Sequence, residues 1–487
     1  MHFQALRRRG PVDRTGDNLA HVDRQSNSTH IADSVPLAAP AKMKAFNRFV
    51  VPVKLRWLAF YLLLFGLGVT IATRQAPFYM PDEGAHYLRA YEVSKLHLIN
   101  MPGNVGVDIP CREYTVVAKK YYPIAFAQTK TVAELAEPSC LVRTLSSAGS
   151  YSFVPYIPAA LALALVGKLN WTTENKLAAA RIANFSVWFS ILFFSLMLLE
   201  GGRLLMACLM LMPSYFWQLV ALSADGATLT SCLGYAFFVI GIAQRKLTVT
   251  RGMMKVLVAL GAFIGVSKGV YAPVALLAFG LWGNLPGKGW LYKFFVLSCP
   301  VIAALGIFVA QAAVSDPRLV YLGNNANPAL QLAYVSENPV AFMNLIIKTL
   351  SEMDLVSLVA PGYAVPNAGR GFGIMVVSLG AISILMAGTN FGLDKKFRLV
   401  AGGVVAILLV SIRLPIYLTY SPVQFDSILG LQGRYYLPVL PLVFVTFAFK
   451  VADVNWAELF AELQARIPWV IFMAALGLII AVVNTGN

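Results

Sequence analysis

The chain is short of charge: 13% of its 487 residues are Asp, Glu, Lys or Arg. Soluble domains carry about 25%. With 58% hydrophobic residues, the balance excludes an ordinary soluble domain and points to a polytopic membrane protein. Histidine and cysteine are also scarce, five of each, and no zinc-type spacing of the two occurs. The first 50 residues lack an apolar core long enough for a cleavable signal peptide. No internal repeat is visible, which weakens a transporter built on duplicated halves. Nor are the basic residues gathered in one patch. The net charge of +16 is therefore no nucleic-acid footprint, and no nucleic-acid partner is expected.

What is present is a series of uncharged runs joined by short basic loops. Residues 1–42 are polar and predict a disordered cytoplasmic tail. Residues 43–487 form one membrane domain. Basic residues around Lys44 to Arg56 hold the start of the first span, Trp57–Thr73, in the cytoplasm. Its 17 uncharged residues are at the short end of the spanning range. Three outer loops are expected, at 74–181, 316–370 and 419–434, the second carrying an amphipathic piece near Pro339–Val359. The run Thr144–Gly167 is long enough to span, yet Pro155 and Pro158 interrupt it. Laying it on the outer surface puts the basic loop from Arg245 to Lys255 inside, and that reading is adopted. Leu204–Ala224 then crosses once. Val256–Ser267 and Val270–Leu285 form a helical pair turning at Lys268-Gly269. Gly371–Leu393, Leu399–Tyr417, Tyr436–Phe449 and Pro468–Val483 complete roughly eleven spans of an all-α protein. Cys111 and Cys140 both fall in the first outer loop. A disulfide and two free thiols are both open there, because sequence does not supply the Cα separation.

The stretch with most chemistry follows the first span: Pro81-Asp82-Glu83-Gly84-Ala85-His86-Tyr87-Leu88-Arg89-Ala90. Pro81 suits a first helical position, and acids suit a first turn. Spacings of four and three put Asp82, His86 and Arg89 on one face, with Glu83 and Tyr87 beside it. Arg181, Asp225, Lys268 and Arg434 also fall at span ends on the outer side. A carboxylate there can take a proton from, or orient, an acceptor hydroxyl, and Lys or Arg can steady a departing phosphate. Each residue also has a bland reading: Lys268 snorkels, Asp225 caps a helix, and Arg181 and Arg434 pair structurally.

The Pro-Asp-Glu-x-x-His-x-x-Arg-Ala motif resembles a large bacterial family of polytopic membrane proteins of unknown function, which is similar to the GT-C glycosyltransferases. Ser223-Ala224-Asp225-Gly226, Ser267-Lys268-Gly269-Val270-Tyr271-Ala272-Pro273 and Gln432-Gly433-Arg434-Tyr435-Tyr436-Leu437-Pro438 look like its further motifs. The resemblance covers about Lys54–Pro438. It implies a GT-C-like fold in a bacterial inner membrane with a periplasmic active site. The implied reaction moves a sugar from a polyprenyl-phosphate donor to a glycan or lipid acceptor of the cell envelope. Asp82 and Glu83 become catalytic candidates. His86, Arg89, Arg181, Asp225, Lys268, Tyr271, Gln432, Arg434 and Tyr435 become substrate-binding candidates. A divalent ion on Asp82 and Glu83 is an option that the spacing does not demand. Two alternatives come from other classes: a transporter or flippase for lipid-linked saccharides, and a non-catalytic membrane scaffold.

Overall fold

A computed structural model describes residues 53–447, apart from 81, 105, 119–123, 128–136, 138, 288, 320–321, 324 and 353–391. Among the described residues, six helices are long and apolar enough to cross a membrane. They are α1 (Val53–Arg74), α5 (Thr173–Leu196), α8 (Asp225–Gln244), α9 (Arg251–Lys268) with the 3-10 arm that continues it, α10 (Trp290–Val314) and α13 (Lys395–Tyr420). Of the expected crossings, Gly371–Leu393 and Pro468–Val483 lie outside the described residues, as does the 1–42 tail.

The pair at Lys268-Gly269 folds as a hairpin. Lys268 leaves the helical region, at φ −164°, and a 3-10 arm runs Gly269–Asn284. It returns to its starting level, because Val249 N–H donates to the Asn284 carbonyl at 2.9 Å. The lengths match for a physical reason. An 18-residue α-helix rises about 27 Å, and a 16-residue 3-10 helix, at about 2.0 Å per residue, roughly 32 Å. Helices α9 and α10 then close on each other through missing side chains. A Cβ on Gly261 or Gly265 would stand 2.4 Å and 2.1 Å from the Pro300 and Ala304 carbonyl oxygens. Such close backbone approach is how helices pack where lipid supplies no hydrophobic drive.

Two expectations are refined. The Leu204–Ala224 segment leads from Glu200, which pairs with Arg245, to Leu222, whose N–H donates to Glu83, but not as one helix: it breaks into α6 (Arg203–Met210) and α7 (Pro213–Val220), with Pro213 in the first turn of the second. Proline can neither donate to the preceding turn nor fit against it, so the helix restarts there. The protein is also not purely helical. Its first long loop contains β1 (Val107–Pro110), β2 (Ile124–Ala127) and β3 (Leu141–Ser146), an antiparallel sheet in the order β1-β3-β2.

That sheet belongs to a cap at one end of the bundle. Its other parts are α2 (Glu83–Ser94), α3 (Cys111–Ala118) and α4 (Ile157–Val166). Ten residues give α4 a length of about 15 Å, half a bilayer core, so it does not span by itself. The cap has its own core, with Phe78, Tyr87, Leu88, Ile109, Val142, Tyr156 and Leu177 packed together. A Cys111–Cys140 disulfide ties α3 to the approach to β3. Buried Glu92 fastens α2 to the sheet, accepting from Ser146 N at 2.6 Å and from Arg89 and Asn100 side chains. Further along, α11 (Pro328–Glu337) and α12 (Pro339–Ser351) lie beside α13, and α14 (Leu440–Phe447) follows a 3-10 turn, Gly433–Tyr436.

Candidate functional site

The first of two acids in the motif stands outside its helix. Asp82 precedes α2 with φ 64° and ψ 0°, the left-handed region. Most side chains resist that conformation, and Asp is among the few that visit it. Its carboxylate makes no capping bond to α2. It accepts instead from Arg434 Nη2 at 2.7 Å, across 352 residues of chain. Arg434 sits on the Gly433–Tyr436 turn, which Tyr271 pins by donating to the Tyr435 carbonyl at 2.8 Å. Gln432, exposed, begins that turn, its carbonyl accepting from Tyr435 N.

Asp225 joins the two halves of the cluster. It opens α8, the most enclosed span at 89% buried, so its carboxylate projects from the middle of the bundle end. One oxygen is 3.1 Å from Lys268 Nζ and the other 3.9 Å from Arg434 Nε. The helix dipoles favour the arrangement, since Asp225 lies in a first turn and Lys268 ends a helix. Lys268 Nζ stands 5.7 Å and 5.0 Å from the ring centres of Tyr151 and Tyr435, and Arg434 Cζ 5.5 Å from Tyr435. Two carboxylates thus alternate with two cations around tyrosine faces. The cluster is largely enclosed at Lys268, Asp225 and Arg434, which keep a small exposed fraction, and opens at Asp82, whose side chain is 56% exposed.

His86 lies just inside. Its Nδ1 is 2.7 Å from the Tyr156 hydroxyl, and its ring is 5.7 Å from that of Tyr151. Burial holds its pKa down to about 4, against the pull of Asp225 and Asp82. The imidazole is therefore neutral near pH 7, able to give or take a proton.

The second acid of the motif is turned away. Glu83 is fully buried and accepts from Arg181 Nε at 2.8 Å and Nη2 at 2.6 Å, and from Leu222 N at 3.1 Å. Arg181 spends its remaining donors on the Gln75 and Ala76 carbonyls. This two-pronged pair bolts α2 to α5 and leaves Glu83 no open oxygen for a reacting group. Arg89 does not share a face with Asp82 either. It is buried on Glu92 and the His97 and Leu98 carbonyls. The reason lies in the backbone: a left-handed residue 82 takes Asp82 off the helical register that the spacing assumed. Asp82 and Glu83 turn to different cations, so they do not make a joint metal site. Among the described residues, no three His, Cys, Asp or Glu side chains group as metal ligands.

The family model described as Predicted membrane protein (DUF2142) matches residues 65–443, a stretch that includes every member of the cluster. The chain belongs to the DUF2142 family. No curated protein and no solved structure matches it.

Three members of this DUF2142 chain's polar interior escaped sequence reasoning. Tyr151 and Tyr156 stand in the run read as an apolar surface helix, where a tyrosine gives no sign of its partner. Arg413 stands inside the apolar run Leu399–Tyr417. A lone arginine among Ser411-Ile412 and Leu414-Pro415 was a usable signal, since ionisable residues within spans mark function by default.

Proposed function

We propose that this protein is a membrane glycosyltransferase of GT-C type, moving a sugar from a polyprenyl-phosphate donor to a cell-envelope glycan or lipid acceptor. The observation that carries the reading is Asp82: a half-exposed carboxylate, held in left-handed backbone, at the rim of an otherwise largely enclosed charge cluster. Strained residues at such places are a reservoir that function draws on. In the reaction, the bond from the sugar's anomeric carbon to the phosphate oxygen breaks, and its electron pair leaves with the phosphate. The acceptor oxygen bonds that carbon, and its proton passes to Asp82. Arg434 and Lys268 steady the charge growing on the phosphate. Asp225 holds both cations in position. His86 is close enough to the cluster to feel both acids.

The same pieces support a side for the reaction. The cap carries a disulfide, which persists in oxidising compartments. At the opposite level of the bundle stand Arg245, Lys246 and Arg251, as cytoplasmic loops require. Both support a cap and an Asp82 that face the periplasm of a bacterial inner membrane, where lipid-linked sugars are the available donors.

The test is release of polyprenyl phosphate by the purified protein from a broad panel of lipid-linked sugars. Turnover of one member is expected, and Asp82→Asn should lower it by about a hundredfold or more while the fold is kept. If folded protein consumes no member of the panel, the transferase reading falls.

A further inference from the structure

The cluster around Asp82 is electrically balanced: Lys268 and Arg434 face Asp225 and Asp82. A phosphate arriving there meets cations that already have counter-ions. One arginine joined to the cluster through Tyr436 has none among the described residues. Arg413 lies on α13, seven residues before its end at Tyr420, roughly 10 Å along the axis. It is completely buried. Its Nε donates to Thr349 Oγ1 of α12 at 3.2 Å, and its Nη1 to the Leu409 carbonyl of its own helix at 3.2 Å. Its guanidinium carbon stands 4.8 Å from the centre of the Tyr436 ring. None of these partners is charged, and among the described residues no carboxylate pairs with it. Two buried donors of this stacked pair also lack an acceptor among the described residues: Arg413 Nη2 and the Tyr436 hydroxyl.

A buried cation without a counter-ion is expensive, and so is a buried donor without an acceptor. The complement of this set is an anion with at least two oxygens to share. Guanidinium suits phosphate particularly, because its fork matches two oxygens at once. Tyr436 is also the neighbour of Tyr435, whose ring touches both cations of the cluster. The two places are thus joined by one four-residue turn.

We infer that Arg413, Tyr436 and Thr349 form a subsite for the oxyanion of a phosphate ester. This deepens the transferase reading and rests on it for the ligand's identity, though not for its charge. It also divides the labour. A sugar phosphodiester carries one negative charge, matched by Arg413 in the ground state. The second charge, which appears as the sugar departs, is what Arg434 and Lys268 meet. An interaction strengthened only as the bond breaks is the kind that raises kcat.

The experiment is equilibrium binding to the full-length protein in nanodiscs of zwitterionic lipid, with polyprenyl phosphate, uncharged polyprenol and inorganic phosphate as probes. Wild type should prefer polyprenyl phosphate to polyprenol by at least about tenfold. Arg413→Gln should weaken polyprenyl phosphate by about thirtyfold or more and leave polyprenol unchanged. Tyr436→Phe guards against misfolding: it removes a hydroxyl that has no partner, so melting temperature should hold or rise, while affinity falls about five- to tenfold. Inorganic phosphate that competes, with the same dependence on Arg413, assigns recognition to the bare oxyanion. Failure to compete, with the lipid still dependent on Arg413, assigns it to the lipid-borne ester. Either supports the subsite. Equal affinity for phosphate and alcohol in wild type, or unchanged affinity in both variants, overturns it. The assay requires no turnover. Binding that depends on Arg413 without sugar transfer would retire the transferase reading and keep the subsite, and turnover with an indifferent Arg413 would do the reverse.

Discussion

Asp82 and Glu83 are adjacent acids with opposite fates. Glu83 is fully buried, with Arg181, Leu222 N and the cap packed around it. Asp82 is half in solvent and holds one arginine. The first is an architectural bolt and the second an available group. The difference teaches that a carboxylate's value to chemistry depends on what its lone pairs are free to do. The strongest way to break the comparison is to treat both alike. Glu83→Gln leaves the Arg181 guanidinium buried without its counter-ion and should cost about 3–5 kcal/mol. In detergent this should appear as a large drop in melting temperature or as loss of folded protein. Were Glu83→Gln as stable as wild type and inactive, the roles given to the two acids would have to be exchanged.

The next test concerns the platform on which both acids sit. Replacing Cys111 and Cys140 together by serine opens the cap's covalent tie and should cost about 2–4 kcal/mol. Limited proteolysis of the cap should quicken accordingly. The Lys268–Asp225 contact, which belongs to the bundle end, should be preserved. Donor binding should then survive better than turnover, since Arg434, Lys268 and Arg413 all lie outside the cap.

A smaller and more particular effect is expected from pH. Burial depresses His86 to about 4, from an ordinary value of 6.5. Between those values the unfolded chain binds the proton more readily than the folded one. Stability is therefore full above pH 6.5 and falls as pH drops toward 4, by at most about 3 kcal/mol at 1.36 kcal/mol per unit. His86→Gln should flatten that part of the profile of melting temperature against pH. An unchanged slope in the variant would mean that other groups carry the acid sensitivity.

How much of this was legible beforehand depends on distance along the chain. Six of the expected spans were, because each is a local run of apolar residues. The hairpin was, because Lys268-Gly269 interrupts two such runs. The sheet was not, since β1 and β3 are short and thirty residues lie between them, with pairing decided by the cap's packing. The site residues were recognisable as a set of charges at span ends, and four of them do meet: Asp82, Asp225, Lys268 and Arg434. Their pairing was out of reach. Helical periodicity places Asp82 on α2, whereas the left-handed turn at φ 64° sends it to Arg434 and leaves Glu83 to face Arg181, 98 positions later. No local pattern records that choice.

The smallest effect bears most directly on why Asp82 is where it is. Its ion pair is exposed on one side and should contribute no more than about 1 kcal/mol, so Asp82→Asn should melt close to wild type. Its backbone is a different matter. A left-handed φ costs an ordinary side chain about 1–2 kcal/mol, costs Asn and Asp less, and costs glycine nothing. Asp82→Gly should thus be at least as stable as wild type, and Asp82→Ala less stable than Asp82→Gly by about 1 kcal/mol. All three should lose turnover to a similar degree, because all three lose the carboxylate. A glycine that gains stability while activity vanishes would show the strain to be kept for the position it gives the acid, as expected where function and stability compete. If alanine proved as stable as glycine, the turn would carry no strain, and only exposure would distinguish Asp82 from Glu83.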